Sequence, residues 1–572
     1  MGVPGFFLWL IKKYKNDYFF FNKNSKKYDV SNINAIMIDA NCALHPQCFK
    51  ALAKNKKITD KDILESEMIK ECIAYLKYII DFVDPSNLIY IAVDGVAPSA
   101  KLKQQRMRRF KSVKEKALHN SIKKKHNKPI DTQWNNSAIT PGTDFMDRIT
   151  SSILQFIKET DFGDREVIFS SANTPGEGEH KLLQYIYNTK NDYNYVIYGL
   201  DADLIFLALS ASEKEIFLVR EENSRNSNAN NANEALQYVS INTLKECIFR
   251  EISELLCVDE IDIELDEKSV VRDFVFICYF LGNDFLPHIP SIDIKCYDRN
   301  STNGLDLLLQ AYSHVFDNIH DYIMIVNDDG KITYNKVFLS MFLEYLSSFE
   351  SEFFFNLSNA KKYFGNCKSS DPYEQEIHRI NNLKFKIKND VNLGKGDPDE
   401  WKFRYYKKYY FTESNQEAIV QTACKQYFEG LVWVANYYFD ECPSWNWYYP
   451  FDHAPFISDL ATNFKRFDMD KATFEKGNAL KPIEQLLSVL PPQSNFLLPD
   501  KYKWLMTSPK SPIIHLYPRD YDLDMLYKRQ YWQCIPILPE LEINNVKQAV
   551  KSIKPDEADN QKNKILKPYI YS

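Results

Sequence analysis

The chain has 572 residues, 45% of them hydrophobic and 26% charged, a balance that excludes a fibrous or disordered protein and suits several lobes or one elaborated catalytic domain. Lys and Arg number 71 against 77 Asp and Glu, a formal charge of −6, so the net charge argues against a uniformly basic nucleic-acid binder. Eleven cysteines with no C-x-x-C pair exclude a disulfide framework or zinc module and suit a reducing, intracellular compartment, with the cytoplasm expected ahead of the nucleus.

The amino terminus, Met1 to Lys13, has no basic lead-in and too short an apolar run for a signal peptide. No apolar run elsewhere approaches membrane-spanning length, so no membrane partner is expected. Residues 4–14 read as a short amphipathic helix, Ala35 to Asp39 as a buried strand, Ile63 to Val83 as a helix, and Leu88 to Asp94 as a second strand. A long basic helix follows, from about Ala100 to Lys125. Residues 101–128 hold twelve Lys/Arg and one Glu, a local surplus that the overall balance hides. Another helix follows Thr140-Pro141-Gly142-Thr143. Glu166 to Phe169, Tyr195 to Tyr198 and Ile216 to Arg220 read as further strands. Strands alternating with helices predict an α/β fold with a doubly wound, mainly parallel sheet, whose ligands collect beyond the carboxyl ends of its strands.

Glu222 to Glu234 is Asn-rich and reads as a disordered loop. Helices are predicted at 241–256, at 269–281 and through 304–360. Residues 365–400 read as a linker or excursion. From Trp401 to about Leu541 the chain is dense in Trp, Tyr and Pro, which predicts aromatic packing. The last thirty residues read as a frayed, charged tail.

The chemistry lies at the strand ends. Pro175-Gly176-Glu177-Gly178-Glu179-His180-Lys181 follows one strand, and Gly199-Leu200-Asp201-Ala202-Asp203 follows another. With Asp39, Asp94 and Asp284 they bring seven carboxylates from five segments. Such acids repel one another unless a cation offsets them. Oxygen-only ligands suit Mg²⁺ or Mn²⁺, and seven acids are enough for two ions roughly 4 Å apart, the arrangement that serves phosphodiester cleavage. On the basic helix, Lys101, Gln105, Arg108 and Arg109 share one face and read as a terminal-phosphate pocket. Lys114 and Lys123 to Lys125 read as a solvated face. His45 leaves the same strand end as Asp39 and is suited to stacking on a base, with Trp445 or Trp447 as the opposing ring. Spacing alone makes those tryptophans core residues.

The ordered runs M-G-V-P-G-F-F-L-W-L, I-D-A-N-C-A-L-H, D-G-V-A-P-S-A-K-L-K-Q-Q-R-M-R-R-F, P-G-E-G-E-H-K, D-A-D-L and G-N-D-F-L-P resemble the XRN-type 5′→3′ exoribonucleases. The second half resembles them too, through W-K-F-R-Y-Y-K-K-Y-Y-F, G-L-V-W-V-A-N-Y-Y and C-P-S-W-N-W-Y-Y-P-F-D-H-A-P-F-I-S-D-L. The resemblance implies a PIN/flap-nuclease-like core over 1–360, a linker at 361–400, a helical, aromatic-rich second region at 401–545 that braces the active site, and a tail at 546–572. It implies processive, Mg²⁺-dependent decay of single-stranded RNA from a 5′ monophosphate. Lys101, Gln105, Arg108 and Arg109 would form a phosphate pocket too small for a cap or triphosphate, with His45 and one of Trp445 and Trp447 stacking on the first base. A monomer is expected, in a short form without the accessory domains of long cytoplasmic members. Cys42 stands where the family usually has Gly, Leu8 where a basic residue is frequent, and Ser99 where Arg is common. A flap-type DNA nuclease and an inactive RNA-binding scaffold are the competing readings. The first lacks a helix-hairpin-helix clamp in this sequence, and the second would have lost metal ligands, whereas all seven remain.

Overall fold

The computed structural model describes residues 5–14, 20–23, 30, 32–130, 134–201, 203–211, 214–221, 235–256, 264–294, 302–327, 330–360, 367–412, 414 and 416–571, the Leu8 side chain excepted. The Asn-rich stretch 222–234, residue 4 of the first predicted helix and Ala202 lie outside them.

Eight strands make one sheet: β1 (Phe20–Phe21), β2 (Ala35–Asp39), β3 (Leu88–Ala92), β4 (Glu166–Ser170), β5 (Tyr195–Tyr198), β6 (Ile216–Glu221), β7 (Leu236–Ser240) and the distant Tyr569–Tyr571. The five central strands run parallel in the order β6-β5-β2-β3-β4, with antiparallel strands at both margins. Register runs from Ala35 opposite both Leu88 and Tyr195 to Asp39 opposite Ala92. The order reverses at β2, so Asp39 and the loop after β5 flank the crevice where such folds bind ligands.

The strands are continuous apolar runs because both faces are covered. Met37, Ile197 and Leu218 point into a core shared with helices Gly178–Asn188, Asp203–Ser210 and Glu267–Cys278. Ile36, Ile38, Ile89 and Val196 point the other way, onto helices Ala40–Lys54, Lys61–Val83 and Asp144–Glu159. Helix Gln416–Phe439 extends the first core, with Trp433, Tyr437 and Tyr438 buried in it. This is the helical, aromatic-rich region expected against the sheet.

The structure departs from expectation at four places. A hairpin, β8 (Met324–Val326) with β9 (Ile332–Tyr334), interrupts the stretch read as helical through 304–360. A second short pair, β10 (Leu523–Asp524) with β11 (Ile535–Pro536), lies in the aromatic region. Residues 367–400 are not a loose linker: helix Pro372–Asn381 docks on the far end of the basic helix Ser99–Lys125. There Ile380 and Leu383 bury against Ile122, while Glu376 takes Lys125 and His126 at 2.9 and 2.7 Å and Asp371 takes Lys128 at 2.9 Å. The charges that read as a linker are complementary to a distant helix. Nor is the carboxyl end frayed. Helices Ile543–Lys551 and Glu557–Lys562 lead into β12 (Tyr569–Tyr571), which pairs antiparallel with β4, and Lys562 is tied to Asp144 and Asp147 at 2.7 Å each. An unpaired edge strand is a liability, and this segment covers it.

Candidate active site

Each acid is placed by a strand end or a helix start. Asp39 ends β2 and caps the next helix, accepting from the Asn41 backbone N–H at 3.2 Å. Asn41 turns its carboxamide to Asp94, donating to Oδ2 at 2.7 Å and accepting from the Asp94 N–H at 3.2 Å. The Gly178 N–H donates to Asp94 Oδ1 at 2.7 Å, joining the Glu177–Glu179 loop to the end of β3. Only glycine fits there, since a Cβ on residue 178 would stand 2.7 Å from Asp39 Oδ1. Gly95 is likewise fixed, because a Cβ would fall 1.8 Å from the Thr174 carbonyl oxygen. Lys181 locks the same corner from beneath, its buried ammonium donating to the Val93 carbonyl at 2.7 Å and the Ser171 carbonyl at 3.1 Å.

Lys101 stands among the acids. Its Nζ lies 2.6 Å from Glu177 Oε1 and 2.5 Å from Asp284 Oδ2, and the side chain is buried. Burial alone would depress its pKa, but Asp284 and Glu177 hold it well above the ordinary value. Asp284 is held below the usual carboxylate range because Lys101 outweighs the cost of burial, and Gln104 adds a 3.3 Å hydrogen bond. Tyr437, from the second region, donates to Glu177 Oε2 at 3.1 Å and stacks on His180 at 3.9 Å between ring centres.

The other acids feel one another. Burial, then Asp94 and Asp201, push the Asp39 carboxyl up to about 8. Burial, then Asp284, push Asp203 up to about 7. Burial raises Glu177 and Glu179 as well, the latter with Glu177, Asp201 and Asp203 contributing. So the carboxylates expected to converge do form one electrostatic group, with Asp201 at its exposed rim. Among the described residues no three acidic, His or Cys side chains close on one point as a finished metal cage. Asn41, Cys42 and the Lys101 ammonium occupy carboxylate oxygens instead. The set still fits divalent cations: seven acids outnumber the Lys101 and Lys181 ammoniums beside them, and Asp203 Oδ1 is buried without a hydrogen-bond partner.

Beside the acids a cleft of about 650 Å³ opens along the basic helix, with Asp94 at its inner end and His45, Gln105, Arg108 and Arg109 in its wall. Arg108 is exposed, while Arg109 Nη1 and Gln105 Oε1 are buried with no partner. Burial and the neighbouring Arg108 pull the Arg109 guanidinium down to about 9 and the His45 ring to about 4, so His45 is neutral near pH 7. The structure thus brings three of the four phosphate-pocket candidates together with His45, and sets Lys101 apart among the acids. The cleft is not a closed slot. It continues past Arg109 to Lys116, His119, Trp134 and Tyr373, more space than one phosphate fills, so its volume does not exclude a longer end.

Neither tryptophan lines this cleft. Trp447 stacks on Trp433 at 5.5 Å and lies against Gly430, in the aromatic core. Trp445 is half-buried, and its carbonyl accepts from the Ser99 N–H at 3.0 Å at the start of the basic helix. The helix is pinned along its length. Arg106 donates to the Pro539 and Leu516 carbonyls at 2.6 Å each, and Lys103 meets Asp452 at 2.8 Å. Lys114, expected in solvent, meets Asp520 at 3.1 Å and the Tyr521 carbonyl, and Lys125 pairs with Glu376. Sequence reasoning missed Asn41, Lys181 and Tyr437. All three lie inside quoted motifs, Tyr437 in G-L-V-W-V-A-N-Y-Y, but nothing local marks its partner Glu177. Cys42 departs from the family's usual glycine by donating its thiol to Asp39 Oδ2 at 3.0 Å.

Acids beyond parallel strand ends beside a cationic cleft define a phosphodiester-cleaving nuclease of the PIN-like α/β class. A family model described as XRN 5′-3′ exonuclease N-terminus matches residues 1–222, and one described as Xrn1 helical domain matches residues 264–395 and 356–571. The chain belongs to the XRN family. It is 28% identical to 5′-3′ exoribonuclease 2 of Candida albicans, covering 100% of this chain and 74% of that protein. It is 30% identical to human 5′-3′ exoribonuclease 1, covering 96% of this chain and 34% of that protein, and 29% identical to the Schizosaccharomyces pombe enzyme of the same name, covering 100% and 50%. The chain therefore spans about a third of the human protein and half of the fission-yeast one.

Proposed function

We propose that this protein is a processive 5′→3′ exoribonuclease acting in RNA decay, releasing nucleoside monophosphates from single-stranded RNA that begins with a 5′ monophosphate. The observation that carries this reading is the shared cleft. Asp94 stands at its inner end, while the unpartnered Arg109 Nη1, the exposed Arg108 and Gln105 face the same space. A terminal phosphate docked on the two guanidiniums would be measured against the acids by the rigid helix that carries both arginines. His45, neutral and beside them, offers a ring face to the first base. The opposing ring would come from Trp445 or Trp447, both outside the cleft lining.

Asp39, Asp94, Glu177, Glu179, Asp201, Asp203 and Asp284 would hold two divalent cations, Mg²⁺ or Mn²⁺. Such ions, when bound, supply an activated water and offset charge on the leaving oxygen. The protein's own part is positional. Asn41 orients Asp94, Tyr437 orients Glu177, and Lys101 holds Asp284 below the usual carboxylate range while opposing the upward push of burial on Glu177. A monomer in a reducing compartment completes the reading, supported by nine free cysteines among the described residues.

The test is degradation of RNAs identical except for a 5′ hydroxyl, monophosphate, triphosphate or cap, with and without EDTA. Metal-dependent decay of the monophosphate form well ahead of the hydroxyl form is expected. Equal rates on both, or decay in EDTA, would overturn the reading.

A further inference from the structure

On the other flank of the basic helix lies a second cavity, of about 330 Å³. Asn283 and Asp284 line it, so it meets the same carboxylate group through Asp284, whereas the first cleft meets it through Asp94. Gln104, Arg108 and Lys111 line it from the helix, and Arg108 borders both spaces. Tyr409 and His453 form another wall, and Lys528 and Trp532 stand in it with Trp532 38% exposed.

Three buried polar atoms of this lining have no partner: Gln104 Oε1, Asn283 Nδ2 and His453 Nδ1. Buried polar groups are nearly always satisfied, so three orphans around one cavity point to a ligand that satisfies them. His453 is held rigidly, its ring stacked on Tyr409 at 3.7 Å and its Nε2 3.1 Å from Asp524 Oδ2. The hydrogen bond to Asp524 places the ring proton on Nε2 and leaves Nδ1 as a bare acceptor. The cavity therefore offers two acceptors and one amide donor.

Its charge favours an anion. Asp452 is paired with Lys103 at 2.8 Å and Asp293 with Arg529 at 3.6 Å, which leaves Arg108, Lys111 and Lys528 as the cationic surplus. A ligand with an anionic backbone, hydrogen-bonding hydroxyls or amines and an apolar face is a nucleotide, and ribose hydroxyls are both donors and acceptors.

We propose that this cavity is a nucleotide subsite for the RNA strand on the 3′ side of the scissile bond. Lys111 and Lys528 meet its phosphate, Asn283, Gln104 and His453 its sugar and base edges, and Trp532 the face of a base. The inference rests on the exoribonuclease reading and adds the direction of the strand: the 5′ end lies in the cleft of Arg109, the chain crosses the acids, and the body leaves past Asp284.

The experiment measures binding without cleavage. A 5′-phosphorylated RNA 12-mer is titrated in EDTA against wild type, Lys528→Ala and Trp532→Ala, followed by anisotropy. Each substitution is expected to weaken binding about fivefold to tenfold, and Lys528→Ala to lower the slope against log salt by about one. Single 4-thiouridines placed at nucleotides one to four then map the contact. Cross-links to residues 526–534 are expected from the second or third nucleotide and not from the first. Unchanged binding in both variants, or cross-links from the first nucleotide alone, would overturn the subsite. A wild type that binds the RNA yet degrades nothing in Mg²⁺ would sink the exoribonuclease reading and leave the subsite standing.

Discussion

The acids at the strand ends and the cations of the adjoining cleft are prepared for their ligands in opposite ways. The acids are already engaged by protein groups: Asn41 on Asp94, Cys42 on Asp39, and Lys101 across Glu177 and Asp284. The cations are left open, with Arg109 Nη1 and Gln105 Oε1 buried and unpartnered. A cluster of buried carboxylates held without an offsetting charge would protonate or swell apart, so the fold supplies an ammonium and several donors. A guanidinium held rigidly on a helix needs no such help and stays ready for phosphate. One half of the site is stabilised against its own charge, and the other is preorganised for a foreign one.

Four experiments probe that contrast. Asp203→Ala, and equally Asp201→Ala, should lower the single-turnover cleavage rate by on the order of 10³-fold or more while RNA binding persists, because acids act on the barrier and phosphate contacts supply affinity. Near wild-type turnover in either variant would remove the acids from the chemistry. Lys101→Met should cost about 3 kcal/mol in metal-free denaturant unfolding, since it strands two buried carboxylates, and Mg²⁺ should return part of that loss. An undiminished metal-free midpoint would show that Lys101 does not hold the acids together.

Arg109→Ala should erode the preference for monophosphate over hydroxyl ends by about 10-fold to 100-fold, the worth of one charge-assisted contact of roughly 1.5–3 kcal/mol. Initial rates on RNAs differing only at the 5′ end give the ratio, and an unchanged ratio would reduce the helix to a general strand-tracking surface. The mildest effect is on pH. Burial lifts Asp203 to about 7 and Asp39 to about 8, so protons compete with a cation below those values. Apparent Mg²⁺ affinity, read by calorimetry, should strengthen as pH rises from 6 to 8 and then level. A flat profile would mean the acids are already ionised in the free protein.

Local pattern carried the sheet and failed where partners are distant. Ala35–Asp39 and Tyr195–Tyr198 were readable to the residue because each is a short apolar run closed by a polar strand end. The acids of the Glu177 and Asp201 loops followed from those ends. Helical spacing puts Lys101 in line with Gln105, Arg108 and Arg109, and its long stem carries the ammonium to Glu177 and Asp284, contacts no local pattern announces. The docked helix Pro372–Asn381 and the edge strand β12 were missed for the same reason, since their partners, Lys125, Lys128 and β4, lie hundreds of residues away. Charge runs that read as solvated proved complementary across the fold.

The central claim is that the cationic cleft anchors a 5′ end so that the acids cut one nucleotide from it. The direct measurement is a time course on a single-stranded RNA carrying distinguishable labels at its two ends, with Mg²⁺. The 5′ label is expected first and only as a mononucleotide, while the 3′ label stays on the shrinking chain until last. Release of internal fragments, or of the 3′ label as the first mononucleotide, would contradict it.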